Sequence, residues 1–251
     1  MPDFKEEIVS TETIRRKTLM SLSFLLLFFI ACIVGWKWLH RQPVDDGALK
    51  PLRAVLNGNE KIFSSIISDN HLAKTFPVSA AEHKVRVNGD AGMSAGFDPA
   101  EWKLNVVRKP GDTLVVTLDE IKALPKTEII FDFKCIEGWS QVTHWGGVKF
   151  SDFVKHYGLE TQTARQFAGL NTPDNGYYVG IDRKSIMHPQ TILCYEMNGA
   201  PLPMNQGAPL RLIIPVKYGI KHLKRIGTIF FSDQRPRDYW FERGYDYFSG
   251  L

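Results

Sequence analysis

The sequence predicts an α+β fold, in which many short strands alternate with a few short helices, preceded by one transmembrane helix. Two observations predict it. Residues 19–39 form an almost unbroken apolar run, about the length that a helix needs to cross a bilayer core. Beyond residue 82, period-two and β-branched runs recur between turn signals, which is typical of strands. Short helices inserted among many strands indicate an α+β or mainly β domain.

The apolar run also predicts a topology. Trp36 and Trp38 lie where aromatic side chains meet the membrane surface. Arg15, Arg16 and Lys17 precede the run, which favours a cytoplasmic segment over residues 1–18 and the rest of the chain outside. A cleaved signal peptide is the alternative, but the run is long for a signal core and no small-x-small cleavage site follows it. The sequence therefore predicts a single-pass anchor.

The remaining chain divides into an arm over residues 40–81, with a short amphipathic piece around 62–67, and a domain over 82–251. Thr117 and Glu120 form a capping box that predicts a short helix ending before Pro125. Ser151 is expected to cap a second helix that Gly158 closes. Strands are predicted at 85–87, 102–106, 113–116, 129–133, 177–181, 192–197, 210–216 and 226–231, with turns at Asn88-Gly89 and Asn198-Gly199.

Composition excludes several classes of function. The net charge of +4 is modest and spread along the chain, and no nucleic-acid motif occurs, so no nucleic-acid partner is expected. Neither a GxGxxG fingerprint nor a phosphate loop is present. The three cysteines, Cys32, Cys135 and Cys194, are too few for a disulfide framework. A single Cys135–Cys194 disulfide stays open as an alternative.

Cys135 is the first candidate functional residue. It ends the apolar run 129–133 and opens a loop rich in glycine and aromatic residues. A thiolate is a good ligand for a soft metal, and Trp139, His144 and Trp145 can wall a bulky group beside it. Two alternatives stay open: a buried structural cysteine, or a nucleophile with His144 as its base.

A second stretch, residues 207–224, is suited to an anion. Arg211 stands among apolar neighbours on a strand bracketed by prolines, and a buried guanidinium needs a partner. Lys217, Lys221 and Lys224 follow it in a loop that turns towards a helix start. Backbone N–H groups and cations of such a turn can bind a phosphate. A solvated basic loop is the alternative for any one of these lysines.

Several motifs of this chain, in this order, resemble the sulfite-oxidase-type molybdopterin oxidoreductases, and the resemblance covers about residues 83–251. They are Cys135-Ile136-Glu137-Gly138-Trp139-Ser140, His188-Pro189, Tyr195-Glu196-Met197-Asn198-Gly199, Gly207-Ala208-Pro209-Leu210-Arg211-Leu212, Pro215-Val216-Lys217-Tyr218-Gly219-Ile220-Lys221 and Asp238-Tyr239-Trp240. The resemblance implies the strand-rich molybdopterin-binding fold of that family.

The resemblance also implies a ligand set. Cys135 would ligate molybdenum, and molybdopterin would be the cofactor. Because the sequence shows no obvious additional nucleotide site, we expect the pterin to carry no nucleotide. The residues implied or offered for cofactor binding are Thr172, Gln206, Arg211, Lys217, His222, Leu223 and Lys224. Gln206 is a departure, since relatives often carry His or Asn there. Glu137, Gly138 and Trp139 replace the arginines that sulfite oxidases carry after the cysteine, which disfavours sulfite as the substrate.

The expected function is oxygen-atom transfer on a small or protein-borne sulfur-oxide or nitrogen-oxide substrate. The sequence has no haem-attachment CxxCH and no cysteine set for an iron–sulfur cluster, so a separate protein must exchange electrons. A haem-bearing or quinone-linked membrane protein is the candidate, with a soluble cytochrome as the alternative. The implied location is the bacterial inner membrane, with the domain on the periplasmic side. A membrane-tethered binding module and a cysteine hydrolase are the alternative functions.

Overall fold

The structure is a computed structural model that describes residues 10–87 and 89–251. Residues 1–9 of the predicted cytoplasmic segment and Asn88 of the predicted turn lie outside the described residues. The helices are α1 (Thr11–His40), α2 (Lys50–Ile66), α3 (Leu118–Lys122), α4 (Phe150–His156), α5 (Glu160–Thr163) and α6 (Arg183–Ile186). The strands are β1 (Val44–Asp45), β2 (Ala48–Leu49), β3 (Leu104–Lys109), β4 (Asp112–Val116), β5 (Lys126–Lys134), β6 (Ser140–Lys149), β7 (Phe167–Asn171), β8 (Tyr178–Asp182), β9 (Ile192–Met197), β10 (Ala200–Pro201), β11 (Arg211–Ile213) and β12 (Thr228–Ser232).

Two five-stranded sheets form the domain, so the expected strand-rich α+β fold is confirmed. The first has the order β10-β9-β6-β5, with β11 also paired to β9. The second has the order β4-β3-β12-β7-β8, in which β12 runs parallel to β3 and antiparallel to β7. One hydrophobic cluster contains side chains of both sheets, among them Leu104, Leu170, Leu193 and Leu212. The two sheets therefore share a core, and the first sheet carries the loops described below.

Helix α1 has no buried residue, and it is the one helix within residues 10–87 and 89–251 that is long and apolar enough to cross a membrane. It begins before the apolar run because Ser10 caps it, the Oγ accepting the Thr13 N–H at 3.3 Å. Behind it, α2 begins at Lys50 rather than near residue 62. Pro51 suits the first helical turn, and helix formation then continues through Asn57 and Gly58.

Two local predictions were wrong. Residues 85–87 form no strand: the Arg86 N–H donates to the side chain of Gln141, and the carbonyls of Val85 and Arg86 accept from the side chain of Gln206. Ser151 is not a helix cap, since α4 already begins at Phe150 and Lys149 occupies the cap position. By contrast, the capping box of Thr117 and Glu120 is confirmed.

Candidate active site

The Cys135 loop closes the hairpin of β5 and β6. The two strands pair from Lys126 with Val148 to Lys134 with Ser140, and the loop 135–139 joins their ends. The Cys135 N–H donates to the Trp139 carbonyl at 2.9 Å, and the Cys135 carbonyl accepts the Gly138 N–H at 3.1 Å. Gly138 has φ +89°, a left-handed conformation that favours glycine. The turn therefore holds Cys135 in a buried place, 2% exposed, at the end of a rigid ladder.

The basic segment approaches from β11. The Leu212 N–H donates to the Leu223 carbonyl at 2.9 Å, so Arg211 lies beside the segment 222–224. Gly207 has φ +105°, and a Cβ there would come within 2.8 Å of the Lys224 Cβ. That close approach requires glycine, and it brings Gln206 beside Lys224. Local hydrogen bonding thus gathers Gln206, Arg211, His222 and Lys224, which are spread over 19 positions of the sequence.

One cavity joins the two segments. Phe133, Glu137 and Trp139 line it from the hairpin end, and Gln206, Arg211, His222 and Lys224 line it from the basic segment. The remaining lining residues are Val85, Arg86, Gly89, Ala91, Gln141, Thr143, Trp145, Tyr177, Gly219, Ile220 and Trp240. Cys135 itself is buried and is not a lining residue, but Phe133 and Glu137, two positions before and after it on the chain, do line the cavity. The structure therefore brings the cysteine loop and four of the predicted cofactor-binding residues to one cleft.

Arg211 is the buried cation of this cleft. It is 3% exposed, and its guanidinium lies 4.6 Å over the Trp145 ring. Its Nη1 donates to the backbone carbonyl and side-chain Oε1 of Gln206, at 2.9 and 3.1 Å. Burial lowers the pKa of Arg211 to about 10, so it stays charged at neutral pH. Among the described residues, no carboxylate forms an ion pair with it. An anionic group in the cavity would offset that buried charge.

His222 is the buried neutral group beside it. Burial lowers the pKa of His222 to about 3, and the positive charge of Arg211 acts in the same direction. Its Nε2 lies 2.8 Å from the Ile214 carbonyl, so this nitrogen carries the proton and donates. The Nδ1 is then an acceptor, and it is buried with no hydrogen-bond partner in the described chain. A ligand donor in the cavity would satisfy it.

We expect His222 to make stability fall as the pH is lowered. Between about pH 6.5 and about pH 3 the unfolded chain binds a proton at this position and the native chain does not, so the free energy of unfolding drops by up to about 1.4 kcal/mol per pH unit. His222→Gln removes this part of the slope. Urea unfolding in detergent from about pH 7 to about pH 4 compares the two proteins. His188, whose pKa burial also lowers, is common to both and cancels. Equal slopes would contradict the assignment.

The residues fit a phosphate-bearing pterin and a soft metal. Arg211 Nε and His222 Nδ1 are buried without partners in the described chain, and both residues line the cavity. Arg86, Arg211 and Lys224 contribute three cations to the lining against the one carboxylate of Glu137. The aromatic rings that line the cavity can flank a planar ring system. No group of three or more His, Cys, Asp or Glu side chains within residues 10–87 and 89–251 could hold a metal, so a cofactor would have to complete the ligand set around Cys135.

Three of the predicted cofactor-binding residues do not line the cavity, and neither does the predicted metal ligand Cys135. The roles of all the predicted site residues stay predictions. Lys217 Nζ donates to Asp182 at 2.9 Å and to the Phe248 carbonyl at 2.7 Å. The Leu223 side chain is fully buried in the shared core. Thr172 accepts the Tyr177 N–H at 3.1 Å, so it fixes a loop whose Tyr177 does line the cavity. These three can position the site but do not face it.

Sequence reasoning missed Arg86, Tyr177 and Trp240 as lining residues. Arg86 stacks over the Trp139 ring at 4.7 Å, and the Tyr177 hydroxyl donates to the Ile220 carbonyl at 2.6 Å. Trp240 lies in a stretch, Asp238-Tyr239-Trp240, that carried part of the family resemblance. That motif was the sequence signal that could have identified Trp240 as a lining residue. The sequence predicts strands at the positions of Arg86 and Tyr177, and a strand prediction does not say which way these side chains point.

The geometry disfavours a cysteine nucleophile. Burial raises the pKa of the Cys135 thiol, and the negative charge of Glu137 raises it further. The Glu137 backbone N–H and the positive charge of Arg86 lower this pKa, but the raising effects are larger. A raised pKa leaves little thiolate at neutral pH. His144 lies with its Nε2 3.4 Å from Glu128 and is not among the lining residues.

Trp139 and Trp145 do line the cavity, as expected. The cysteines form no disulfide, so the Cys135–Cys194 alternative was wrong.

Comparisons with known proteins relate this chain to a family of oxidoreductases. A family model described as "Oxidoreductase molybdopterin binding domain" matches residues 76–240. The putative protein-methionine-sulfoxide reductase subunit YedZ1 of Azospira oryzae is 31% identical over 208 residues, which cover 82% of this chain and 78% of that protein. The protein-methionine-sulfoxide reductase catalytic subunit MsrP of Campylobacter jejuni is 30% identical over 188 residues, 69% of this chain and 63% of that protein. MsrP of Xanthomonas campestris is 34% identical over 170 residues, 60% and 52%.

Among solved structures, the sulfane dehydrogenase SoxCD from Paracoccus pantotrophus matches with a TM-score of 0.49 and 17% identity, over 66% of this chain and 46% of that one. That likeness is too low to bear on function. The matched segments span only about half to two thirds of the MsrP relatives. Within the sulfite-oxidase-type family, the motifs are close to those of the methionine sulfoxide reductase catalytic subunits, and this resemblance is confirmed. Because the family model matches more than half of the chain, the chain belongs to the oxidoreductases with a molybdopterin-binding domain, whose cofactor is molybdenum held by molybdopterin.

Proposed function

We propose that this protein is a membrane-anchored oxidoreductase that removes the oxygen atom from methionine sulfoxide, carried in proteins or as a small molecule. The observation that carries the proposal is the cavity between the Cys135 loop and the segment 206–224, with two buried nitrogens that lack partners in the described chain. When bound, a molybdenum–molybdopterin centre supplies two-electron redox chemistry coupled to oxygen-atom transfer.

The chain's own groups would hold and orient the cofactor. The thiol of Cys135 would lose its proton, and the resulting thiolate sulfur would bind the metal. A thiolate is the kind of ligand that a soft metal favours. Arg211 would donate its Nε–H to an anionic group, and a guanidinium suits phosphate oxygens. His222 stays neutral above about pH 3, so its Nδ1 can accept a hydrogen bond at working pH. Lys224, whose pKa burial and Arg211 lower to about 8, would supply a second cation.

The substrate follows from two features. The relatives that match over most of this chain are named as methionine sulfoxide reductase subunits. Glu137 and Trp139 line the cavity at the positions after the cysteine where sulfite oxidases carry arginines, and the Trp139 Nε1 donates to Glu137 at 3.0 Å. Sulfite would meet that carboxylate, whereas a sulfoxide is uncharged. The balanced reaction takes a sulfoxide, two electrons and two protons to a thioether and water.

The electrons would come from a separate protein in the membrane. The described chain offers no side-chain cluster for a second metal, and the sequence offers no haem-attachment motif. Helix α1 would cross the bacterial inner membrane, with the domain on the periplasmic side, because Arg15, Arg16 and Lys17 precede it. A haem-bearing or quinone-linked membrane subunit is the partner that this anchor favours, and a soluble cytochrome is the alternative.

Turnover by the purified, cofactor-loaded protein tests the proposal. With a reduced viologen dye as the electron donor, we expect dye oxidation on adding a peptide that contains methionine sulfoxide. One thioether should form for every two electrons consumed. The same preparation should not oxidise sulfite, so an added electron acceptor should stay oxidised when sulfite is supplied. Sulfite oxidation without sulfoxide reduction would overturn the substrate assignment and leave the cofactor assignment standing.

A further inference from the structure

Helix α2 carries an exposed apolar stripe. Leu52, Val55, Ile62, Phe63 and Ile66 are all exposed, from 46% to 61%. At the helical advance of about 100° per residue they fall within one arc of about 100°. Exposed apolar residues scattered singly are normal, but five on one helical face are not. Nothing in the described chain covers this stripe.

A different face of α2 is fixed to the domain. The buried Arg53 donates to the carbonyls of Tyr245 and Phe241, at 2.8 and 2.9 Å, and its guanidinium lies 4.0 Å over the Phe241 ring. About two helical turns further on, Glu60 pairs with Arg235. Helix α2 contacts the domain through the face that carries Arg53 and Glu60. The apolar stripe lies on another face of the helix and points away from the domain.

The N-terminal end of α2, where the stripe begins, lies close to the end of α1. Only residues 41–49 join the two helices, and they fold back as a hairpin in which Val44 pairs with Leu49. The Lys50 N–H then donates to the Pro43 carbonyl at 2.9 Å. Cross-strand neighbours of this kind stand only about 5 Å apart. Helix α2 therefore begins beside the point where the chain leaves α1, not at the end of an extended tether.

We propose that the stripe on α2 lies in the lipid–water interface of the same bilayer that α1 crosses. A helix with one apolar face, flanked by lysines and held next to a membrane span, is suited to the headgroup boundary. Lys50 and Lys61 lie on the third, polar face of α2, where they can reach lipid phosphates. The inference rests on the proposed membrane crossing of α1.

This placement fixes the domain on the membrane. A single span alone would leave the domain free to turn about the link 41–49. Contact of α2 with the bilayer adds a second point of attachment, and Arg53 and Glu60 transmit it to the segment 235–245. The cavity then keeps one orientation towards the bilayer and towards an electron-transfer partner within it.

Site-specific photo-crosslinking in the full-length holoenzyme tests the proposal. Benzoylphenylalanine replaces Val55 or Ile62 on the stripe, Leu26 in the middle of α1, or Val115, an exposed residue of β4. Each protein is reconstituted in vesicles of phosphatidylethanolamine and phosphatidylglycerol, and adducts are read by mass spectrometry after irradiation. Bound molybdenum confirms that each variant is folded. We expect lipid adducts at Val55, Ile62 and Leu26, about tenfold or more above Val115.

Lipid adducts at Leu26 but not at Val55 or Ile62 would overturn the inference and leave the membrane crossing of α1 intact. Absence of lipid adducts at Leu26 as well would overturn the crossing itself. The same variants are also irradiated in native membranes, where other proteins are present and can compete with lipid for the stripe. Adducts at Val55 and Ile62 with a second copy of this chain, or with another protein instead of lipid, would also overturn the inference.

Discussion

Replacing Cys135 by serine is expected to lower the rate of sulfoxide reduction by about 10²-fold or more. Loss of a group that only supports a metal ligand costs about 10- to 100-fold, and loss of the ligand itself removes more. Serine keeps the size of the side chain but is a hard, weakly acidic donor that a soft metal does not favour. Steady-state turnover with a reduced dye, normalised to bound molybdopterin, measures the effect.

Cys194 supplies the matched control. It is fully buried on β9, and burial raises its pKa to about 12. Its Sγ donates to the Glu196 carbonyl at 3.1 Å, and, unlike Cys135, it has no cavity-lining residue near it on the chain. Cys194→Ser therefore changes the same atoms in an equally buried place. Turnover per bound cofactor should stay near that of the unmodified protein. Equal losses in both variants would show that Cys135 matters for packing alone.

Replacing Arg211 by methionine is expected to separate cofactor binding from stability. The guanidinium is buried without an ion-pair carboxylate among the described residues, so its removal should change the free energy of unfolding of the cofactor-free protein by less than about 2 kcal/mol, or raise it. Affinity for the cofactor should fall by about 10²-fold, because truncating one partner of a buried charge pair costs about 2–5 kcal/mol. Urea unfolding and cofactor content after titration measure the two quantities.

Arg225→Met is the control for that experiment. Arg225 is buried as deeply, at 4% exposed, donates to the Ser94 carbonyl at 3.1 Å and lies 4.1 Å over the Phe97 ring. It does not line the cavity. Its replacement should affect stability without lowering cofactor affinity. If Arg211→Met unfolds the protein while Arg225→Met does not, Arg211 is a structural residue and the phosphate assignment fails.

The sequence was sufficient for features that one segment determines alone. The apolar run gives α1, the capping box of Thr117 gives α3, and the run 192–197 is β9 to the residue. The motif around Cys135 and the basic run from Arg211 to Lys224 pointed to the two halves of one cleft. Each of these signals is local, so no partner in space was needed to read it.

Other features depend on partners far away in the sequence. The stretch 85–87 looks like a strand, but side chains of Gln141 and Gln206 take its backbone hydrogen bonds, and Arg86 then faces the cavity. Lys217 looks like an anion ligand, but it is held by Asp182 and the Phe248 carbonyl. Helix α2 depends on carbonyls some 190 residues later, which accept from Arg53. No local pattern contains that information.

X-ray absorption at the molybdenum edge, on the purified holoenzyme and on Cys135→Ser, measures the bond on which the proposed mechanism depends. We predict one sulfur neighbour fewer around molybdenum in the variant, with the sulfurs of the pterin unchanged. The same number of sulfur neighbours in both proteins would contradict the assignment of Cys135 as the metal ligand.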